Sequence, residues 1–285
     1  MRIAVTGSTG FLGRHVASSF ADRGHLPHLL VRSGPSPNNN LPNAGTCNFD
    51  LREPPDNCYE LLGEPEVLVH LAWGGLPNYD STHHFQNELP SHFRFLDKML
   101  KSGVQNLVVA GTCFEYGAVA GCIEEETVTN PTNCYGYAKD ALRRQLEFLK
   151  SKHDYNLTWL RLFYLQGSGQ GSGALIPLLD AAISRGDEKF PMSAGEQLRD
   201  YLEVGDAADI LVRLSLSGCD NGAVNLCSGF PISVRRLVET RIEELKSEIT
   251  PLLGALPYTK SEPMAFWGSR VKLNRILDTC AIVGQ

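Results

Sequence analysis

The segment Arg2-Ile-Ala-Val-Thr-Gly-Ser-Thr-Gly-Phe-Leu-Gly13 decides the fold of this chain. It begins with a short run of apolar residues, turns through the spacing Gly-x-x-Gly-x-x-Gly, and continues with apolar residues at helical spacing. This order of strand, glycine turn and helix is typical of dinucleotide binding, because the glycines permit a tight turn, a close approach to a pyrophosphate and close packing of helix on strand. An ordinary strand–helix turn is the alternative. We predict cofactor contacts at Gly7, Gly10, Phe11, Leu12 and Gly13.

Outward from this segment, short apolar runs alternate with helical segments. Strands are predicted at 26–32, 46–50, 66–72, 106–111 and 157–163, and helices at 85–101 and 135–152. The near-continuous apolar run at 66–72 suits a parallel strand covered on both faces. The alternation predicts an α/β fold with a Rossmann-type doubly wound parallel sheet. Residues 34–45, rich in Pro, Asn, Ser and Gly, are predicted to form a surface loop.

The character of the sequence changes after residue 165. Residues 166–173 are rich in glycine and serine, which suits either a linker or a loop that approaches a ligand. Further helices are predicted at 174–185, 206–217, 233–246 and near the C-terminus, and strands at 199–204 and 223–227. We predict a dinucleotide-binding domain at 1–165 and a smaller, mainly substrate-binding α/β domain at 166–285, with part of 200–228 returning to the first sheet.

Composition narrows the class of protein. The 285 residues are 42% hydrophobic and 20% charged, as in globular proteins, and the net charge of −6 disfavours nucleic acid or an anionic membrane as a partner. The apolar start is too short for a signal peptide, and no apolar run is long enough to span a membrane. The eight cysteines include no Cys-x-x-Cys pair, which predicts reduced thiols in a cytoplasmic protein with neither a disulfide frame nor a metal site.

The end of the second predicted strand bears on the choice of cofactor. A carboxylate there would bind the ribose 2′-hydroxyl of NAD and repel a 2′-phosphate. The chain instead has Val31 followed by Arg32, and a guanidinium suits a phosphate. We therefore predict NADP(H) in preference to NAD(H), the alternative being that Arg32 is a solvated charge at the end of a strand.

The pair Tyr135 and Lys139 suggests that the chain carries out proton transfer. Four residues apart on a helix, the two side chains share one face. An ammonium beside a phenol favours the phenolate, so Lys139 is predicted to lower the pKa of Tyr135 and make it a proton donor or acceptor near neutral pH. By itself the pair also fits a helix with a buried tyrosine and a lysine on its rim.

Together with Thr112, these motifs resemble the extended short-chain dehydrogenase/reductases, and within them the nucleotide-sugar epimerase/dehydratase/reductase group. The resemblance covers nearly the whole chain. It rests on the Thr6–Gly13 turn, His70-Leu-Ala72, Asn87, Thr112 four residues before Tyr116-Gly117, Tyr135-x-x-x-Lys139, Arg161-x-Phe163 with Gly167, and Gln197-x-Arg199-Asp200-Tyr201.

The resemblance implies a role for each matched residue. Lys139 would hold the nicotinamide ribose, Tyr135 would exchange a proton with a sugar hydroxyl or ketone, and Thr112 would hydrogen-bond the same oxygen. Further cofactor contacts would be Asp50, Leu51, Leu71, Ala72, Asn87 and Phe163, besides Tyr135 and Lys139 themselves. The residues expected at the nucleotide-sugar substrate are Trp73, Cys113, Phe114, Tyr164 and Arg199.

Departures from the family pattern narrow the reaction. The 4,6-dehydratases carry an Asp-Glu pair directly after the catalytic Thr, where this chain has Cys113 and Phe114, and Glu115 is predicted to point elsewhere. Cys113 is also one position early for the catalytic cysteine of GDP-fucose synthase-like enzymes, so packing is its expected role. Tyr164 replaces an asparagine that usually contacts substrate.

The predicted activity is an NADPH-dependent 4-ketoreductase of an NDP-4-keto-6-deoxyhexose. One alternative is a nucleotide-sugar 4-epimerase that retains NAD. The other, from a different class, is a non-catalytic dinucleotide-binding regulatory protein. The resemblance also implies a homodimer through the helices at 85–101 and 135–152.

Overall fold

The computed structural model describes residues 1–32, 44–258 and 263–283, so most of the predicted loop at 34–45 lies outside the described residues. The strands are β1 Ile3–Thr6, β2 His28–Val31, β3 Thr46–Asn48, β4 Val67–His70, β5 Asn106–Thr112, β6 Gly121–Ile123, β7 Asn156–Leu162, β8 Tyr164–Gln166, β9 Lys189–Pro191, β10 Leu198–Glu203, β11 Gly222–Leu226, β12 Pro231–Ser233, β13 Thr250–Leu252 and β14 Ala265–Gly268. The helices are α1 Phe11–Asp22, α2 Cys58–Leu61, α3 Leu89–Ser102, α4 Cys134–Leu149, α5 Leu175–Arg185, α6 Val204–Ser217, α7 Val234–Leu245 and α8 Val271–Val283.

The central sheet has seven parallel strands in the order β3-β2-β1-β4-β5-β7-β11. Its central strands are apolar because both faces are covered. On one face α1 packs against α6, and Val16, Phe20 and Leu211 belong to the same buried cluster. On the other face α3 packs against α4 through a cluster that includes Phe95 and Leu142. The predicted α/β fold with a doubly wound parallel sheet is confirmed.

A second, smaller sheet has the order β12-β10-β14-β6, and β8 pairs with the far end of β10. Its strands come from distant parts of the chain and are three to six residues long. Tyr116, Phe163 and Phe266 lie in the buried cluster beside it. Most of these strands were missed in the sequence, because three-residue strands carry too little period-2 pattern to be recognised without their partners.

Two predicted helices differ at their starts. The segment predicted at 85–101 opens with a π-helical turn, His84–Glu88, before α3 continues to Ser102. The helix predicted at 206–217 begins two residues earlier, at Val204, directly after β10. The π-helical turn places Glu88 on the buried side and Asn87 on the exposed side.

Candidate active site

A cleft of about 570 Å³ lies at the carboxyl ends of β1, β2 and β4, where open parallel sheets hold their ligands. The predicted cofactor residues that line it are Gly7, Gly10, Arg32, Asp50, Leu51, Leu71 and Ala72. Trp73, predicted to contact substrate, lines the same cleft. Phe11, Leu12 and Gly13 form the first turn of α1, directly after Gly10, and do not line the cleft themselves.

The glycine turn leaves no room for side chains. Gly7 has φ +72°, and a Cβ there would lie 2.6 Å from the Ala72 nitrogen. A Cβ on Gly13 would lie 2.0 Å from the Gly7 carbonyl oxygen. In the described structure no side chain caps the start of α1, so its first amide groups suit an anion such as a pyrophosphate. The residues present therefore fit a dinucleotide.

One end of the cleft carries two guanidinium groups and one carboxylate. Arg52 Nε donates to both carboxylate oxygens of Asp50 at 3.0 Å. This hydrogen bonding lowers the pKa of Asp50 to about 2, and the nearby charge of Arg32 contributes in the same direction. Asp50 is therefore an anion already paired with Arg52, and the Arg32 side chain is exposed beside it.

Thr112 and Tyr135 are brought together by two short structural devices. Thr112 ends β5 and caps a 3₁₀ turn, Cys113–Tyr116, by accepting from the Phe114 amide at 3.3 Å. The Asn133 side chain caps α4 by accepting from Gly136 N at 2.8 Å. A Cβ on Gly136 would lie 2.5 Å from the Phe114 carbonyl oxygen, so a glycine there lets the helix approach the turn. The Thr112 side chain lies close enough to the Tyr135 phenol to lower its pKa through hydrogen bonding.

The predicted lowering of the Tyr135 pKa is wrong for this structure. Burial raises that pKa well above its ordinary value, Tyr79, Glu115 and Cys113 raise it further, and the hydrogen bond with Thr112 opposes them. Lys139 does not supply the expected compensation, because its own burial lowers its pKa to about 7. Desolvation disfavours the charged form of either group, and here it exceeds the attraction between them.

Lys139 is engaged by groups other than the phenol. Its Nζ donates to the Ala110 carbonyl oxygen at 2.9 Å and lies 3.9 Å from the centre of the Trp73 ring. The centre of the Tyr135 ring is 5.9 Å from Nζ. The lysine thus sits between the sheet, the indole and the phenol, with its side chain almost fully buried.

A buried hydrogen-bonded chain, which reaches the wall of the cleft at His92 and Glu88, was not predicted from the sequence. Thr6 Oγ1 bonds His70 Nδ1 at 2.9 Å, His70 Nε2 bonds His92 Nδ1 at 2.7 Å, and His92 Nε2 bonds Glu88 Oε2 at 3.0 Å. Burial opposes ionisation of Glu88, but hydrogen bonds from His92 and the Gly74 amide outweigh it and lower its pKa to about 2. With Glu88 as acceptor, two neutral histidines can each donate towards it in one direction, and burial lowers the pKa of both.

The hydrogen-bonded chain of side chains fixes the turn that follows β4. Gly74 N donates to Glu88 Oε2 at 2.7 Å, and Glu88 lines the cleft. Asn87, which the resemblance placed at the cofactor, is exposed and contacts His83 instead. The i, i+4 spacing of Glu88 and His92 was the available signal, since it predicts one helix face.

Glu115 is directed away from the reacting groups, as predicted from its position. Its carboxylate accepts from Arg161 Nε at 2.9 Å, Trp159 Nε1 at 2.8 Å and Thr112 N at 2.9 Å. Fully buried and paired in this way, it supports the end of β5 and is not available for acid–base chemistry.

A second cavity, of about 460 Å³, lies between α5, β9 and β10. The predicted substrate residues Tyr164 and Arg199 line it, with the Arg199 guanidinium 5.8 Å from the centre of the Tyr164 ring. Phe190 and Tyr258 add aromatic walls. An arginine among aromatic rings suits a ligand that carries both a negative charge and a planar ring.

The other predicted contacts lie around Tyr135 or behind it. The Phe114 ring centre is 6.5 Å and the Trp73 ring centre 6.0 Å from that of Tyr135, so the two rings flank the phenol. Cys113 is buried in the cluster of Tyr116. Phe163 is also buried there, stacked on Phe266 at 5.3 Å, and neither cavity is lined by it.

Two structural features are absent from the described ranges. Within residues 1–32, 44–258 and 263–283, no group of three or more His, Cys, Asp or Glu side chains is arranged to hold a metal ion. In the same ranges, no helix has the length and apolar character needed to cross a membrane.

Comparison with known proteins agrees with this geometry. Residues 3–227 match the NAD dependent epimerase/dehydratase family. The chain is 32% identical over 272 residues to a dTDP-6-deoxy-L-talose 4-dehydrogenase (NAD(+)) from Aggregatibacter actinomycetemcomitans, covering 95% of this chain and 100% of that protein. It is 27% identical over 287 residues to a UDP-glucose 4-epimerase from Corynebacterium glutamicum, covering 91% and 86%.

Among solved structures, a UDP-N-acetylglucosamine 4-epimerase from Methanobrevibacter ruminantium M1 superimposes with a TM-score of 0.86 at 21% identity, covering 96% of this chain and 91% of that one. At this identity the likeness concerns the fold. The family match and the 32% identical relative together go further. The chain belongs to the NAD dependent epimerase/dehydratase family and is an enzyme of the extended short-chain dehydrogenase/reductase type.

Proposed function

We propose that this enzyme interconverts an NDP-6-deoxyhexose and its 4-keto form. Oxidation of the C4 hydroxyl and reduction of the 4-ketone are one reaction in two directions, so a 4-ketoreductase and a 4-dehydrogenase share one site. The observation that carries the proposal is the position of Thr112, at the end of β5, beside the Tyr135 phenol, with Lys139 one turn along α4. The similarity to a dTDP-6-deoxy-L-talose 4-dehydrogenase supports the same substrate class.

Each of the site residues would have a separate role in the reaction. The turn at Gly7–Gly13 would hold the pyrophosphate, and the cofactor, once bound, supplies or accepts hydride at its nicotinamide ring. Thr112 would donate a hydrogen bond to the substrate oxygen at C4. Because burial keeps the Tyr135 phenol protonated, it is prepared to give a proton to that oxygen in the reducing direction. Arg199 would bind the diphosphate in the second cavity.

We further propose that the enzyme prefers NADP(H) to NAD(H). Arg32 at the cleft and the neutralisation of Asp50 by Arg52 support a preference for NADP(H). The similar talose dehydrogenase is named for NAD(+), so the preference rests on these side chains alone.

We also propose a homodimer through α3 and α4, since Tyr137 and Phe148 are exposed on α4.

The direct test is oxidation of NADPH and NADH at 340 nm with dTDP-, UDP- and GDP-4-keto-6-deoxyhexoses. We expect turnover with at least one of them and a 6-deoxyhexose product by mass spectrometry. Protein that carries a tightly held dinucleotide, oxidises neither cofactor and interconverts C4 epimers would overturn the proposal in favour of an epimerase.

A further inference from the structure

Trp73 lines the cleft and also contacts Lys139, His92 and His84. Its ring lies 3.9 Å below the Lys139 ammonium and stacks on His92, with ring centres 4.6 Å apart. Its Nε1 donates to His84 Nδ1 at 3.1 Å. His84 Nε2 in turn donates to the Asn78 carbonyl oxygen at 2.8 Å, which fixes the tautomer that accepts from the indole. The indole is thus held in one orientation from its edge and its face.

The surroundings of Lys139 show why this orientation matters. Lys139 is 1% exposed, and no carboxylate of the described residues forms an ion pair with it. Its direct polar partner is the Ala110 carbonyl oxygen at 2.9 Å. A buried ammonium without a paired anion is costly, and the face of an indole offsets part of that cost through its quadrupole.

We propose that Trp73, oriented by His84, is a positioning residue that holds Lys139 in its charged form beside Tyr135. The interaction between the two side chains follows from the observed geometry. Its consequence for turnover rests on the proposed function, in which a charged Lys139 holds the cofactor ribose and supports Tyr135.

The pH dependence follows from the groups around Lys139. Glu115 and Glu88 favour its charged form, whereas burial opposes it and leaves its pKa at about 7. His70 and His92 also face it from β4 and α3, and the Tyr135 phenol from α4. Charge on Lys139 is present below its pKa and lost as pH rises through it. Removing the aromatic face therefore moves this loss to lower pH.

A first experiment tests the contact without turnover. The chain contains three tryptophans, so protein labelled with 5-fluorotryptophan should give three ¹⁹F resonances, and Trp73→Phe identifies the one from Trp73. We expect that resonance to titrate near neutral pH and to lose this titration in Lys139→Met. A titration unchanged in Lys139→Met would belong to another group and would overturn the proposal.

A second experiment compares two substitutions with different effects on the ring. Trp73→Phe keeps an aromatic face, whereas Trp73→Leu keeps only apolar bulk. We expect Trp73→Phe to keep the alkaline limb of the kcat/KM pH profile at its wild-type position, and Trp73→Leu to move that limb about one pH unit lower, as expected for a buried cation–π contact. Circular dichroism of both variants checks their fold.

The outcomes separate this inference from the proposed function. Identical alkaline limbs for the two Trp73 variants would contradict the positioning role although the enzyme is active. Wild-type protein that turns over no 4-keto nucleotide sugar would contradict the proposed function, and the fluorine titration would still decide whether Trp73 holds the charge of Lys139.

Discussion

The dinucleotide cleft and the second cavity are built in different ways. The cleft is formed by one turn of the chain and the ends of adjacent parallel strands, and a Cβ on Gly7 or Gly13 of that turn would collide with backbone atoms. The second cavity is assembled from positions between 164 and 264, on short strands and helices distant in sequence. A tight turn formed by neighbouring residues suits the part of a cofactor that does not vary. A cavity wall assembled from distant residues can change with the substrate.

The largest expected effect concerns Tyr135, the proposed proton donor. Tyr135→Phe should lower kcat about 10³-fold, because it removes the proton donor, and should leave dinucleotide affinity within about twofold. Stopped assays at high enzyme concentration and fluorescence titration with NADPH measure the two effects. Tyr137→Phe, at an exposed position of the same helix, is the matched control. Comparable activity in the two variants would show that the phenol of residue 135 has no chemical role.

Breaking the closed turn should affect binding and stability together. Gly13→Ala places a Cβ 2.0 Å from the Gly7 carbonyl oxygen, so the turn must shift. We expect about a 100-fold loss of dinucleotide affinity and a loss of about 2 kcal/mol in the free energy of unfolding, as for overpacking. Gly171→Ala is the control, since a Cβ there meets no atom within 4 Å. Isothermal titration and urea denaturation measure the two effects in both variants. Unchanged binding in Gly13→Ala would show that this turn does not hold the dinucleotide.

A substitution in the second cavity should weaken binding of the nucleotide sugar and leave binding of the dinucleotide unchanged. Arg199→Ala is expected to raise KM for the nucleotide sugar about 20-fold with kcat nearly unchanged, because a charge-assisted contact to a diphosphate acts in ground state and transition state alike. Dinucleotide affinity should not change. Arg236→Ala, on the exposed side of α7, provides the control. If Arg199→Ala weakened the dinucleotide instead, the two cavities would not divide the ligands as proposed.

The smallest expected effect concerns the end of the cleft. Arg32→Ala should raise KM for NADP about fivefold and leave KM for NAD unchanged, since an exposed guanidinium contributes modestly in water. Initial rates with both dinucleotides give the ratio, with Arg275→Ala at an exposed position of α8 as control. A wild-type enzyme that already prefers NAD would contradict the preference predicted from Arg32.

The sequence was most informative where structure is local. The glycine turn, the alternation of strand and helix, and the shared face of Tyr135 and Lys139 are all set by residues within a few positions of one another. The small strands of the second sheet were missed because each is defined by partners up to about 145 residues away. The π-helical turn was missed for a related reason: it changes which of Asn87 and Glu88 faces the cleft without changing the helical pattern of the residues after it.

By itself, the sequence determined the parallel sheet and the glycine turn, because periodicity and steric limits act between near neighbours, and its resemblance to the family suggested Thr112, Tyr135 and Lys139 as the reacting side chains. Only the tertiary structure decided their protonation and their partners. The pKa of Tyr135 is raised and that of Lys139 lowered because packing from distant segments removes both from water. The same packing places the Trp73 ring, rather than the phenol, nearest to the Lys139 ammonium.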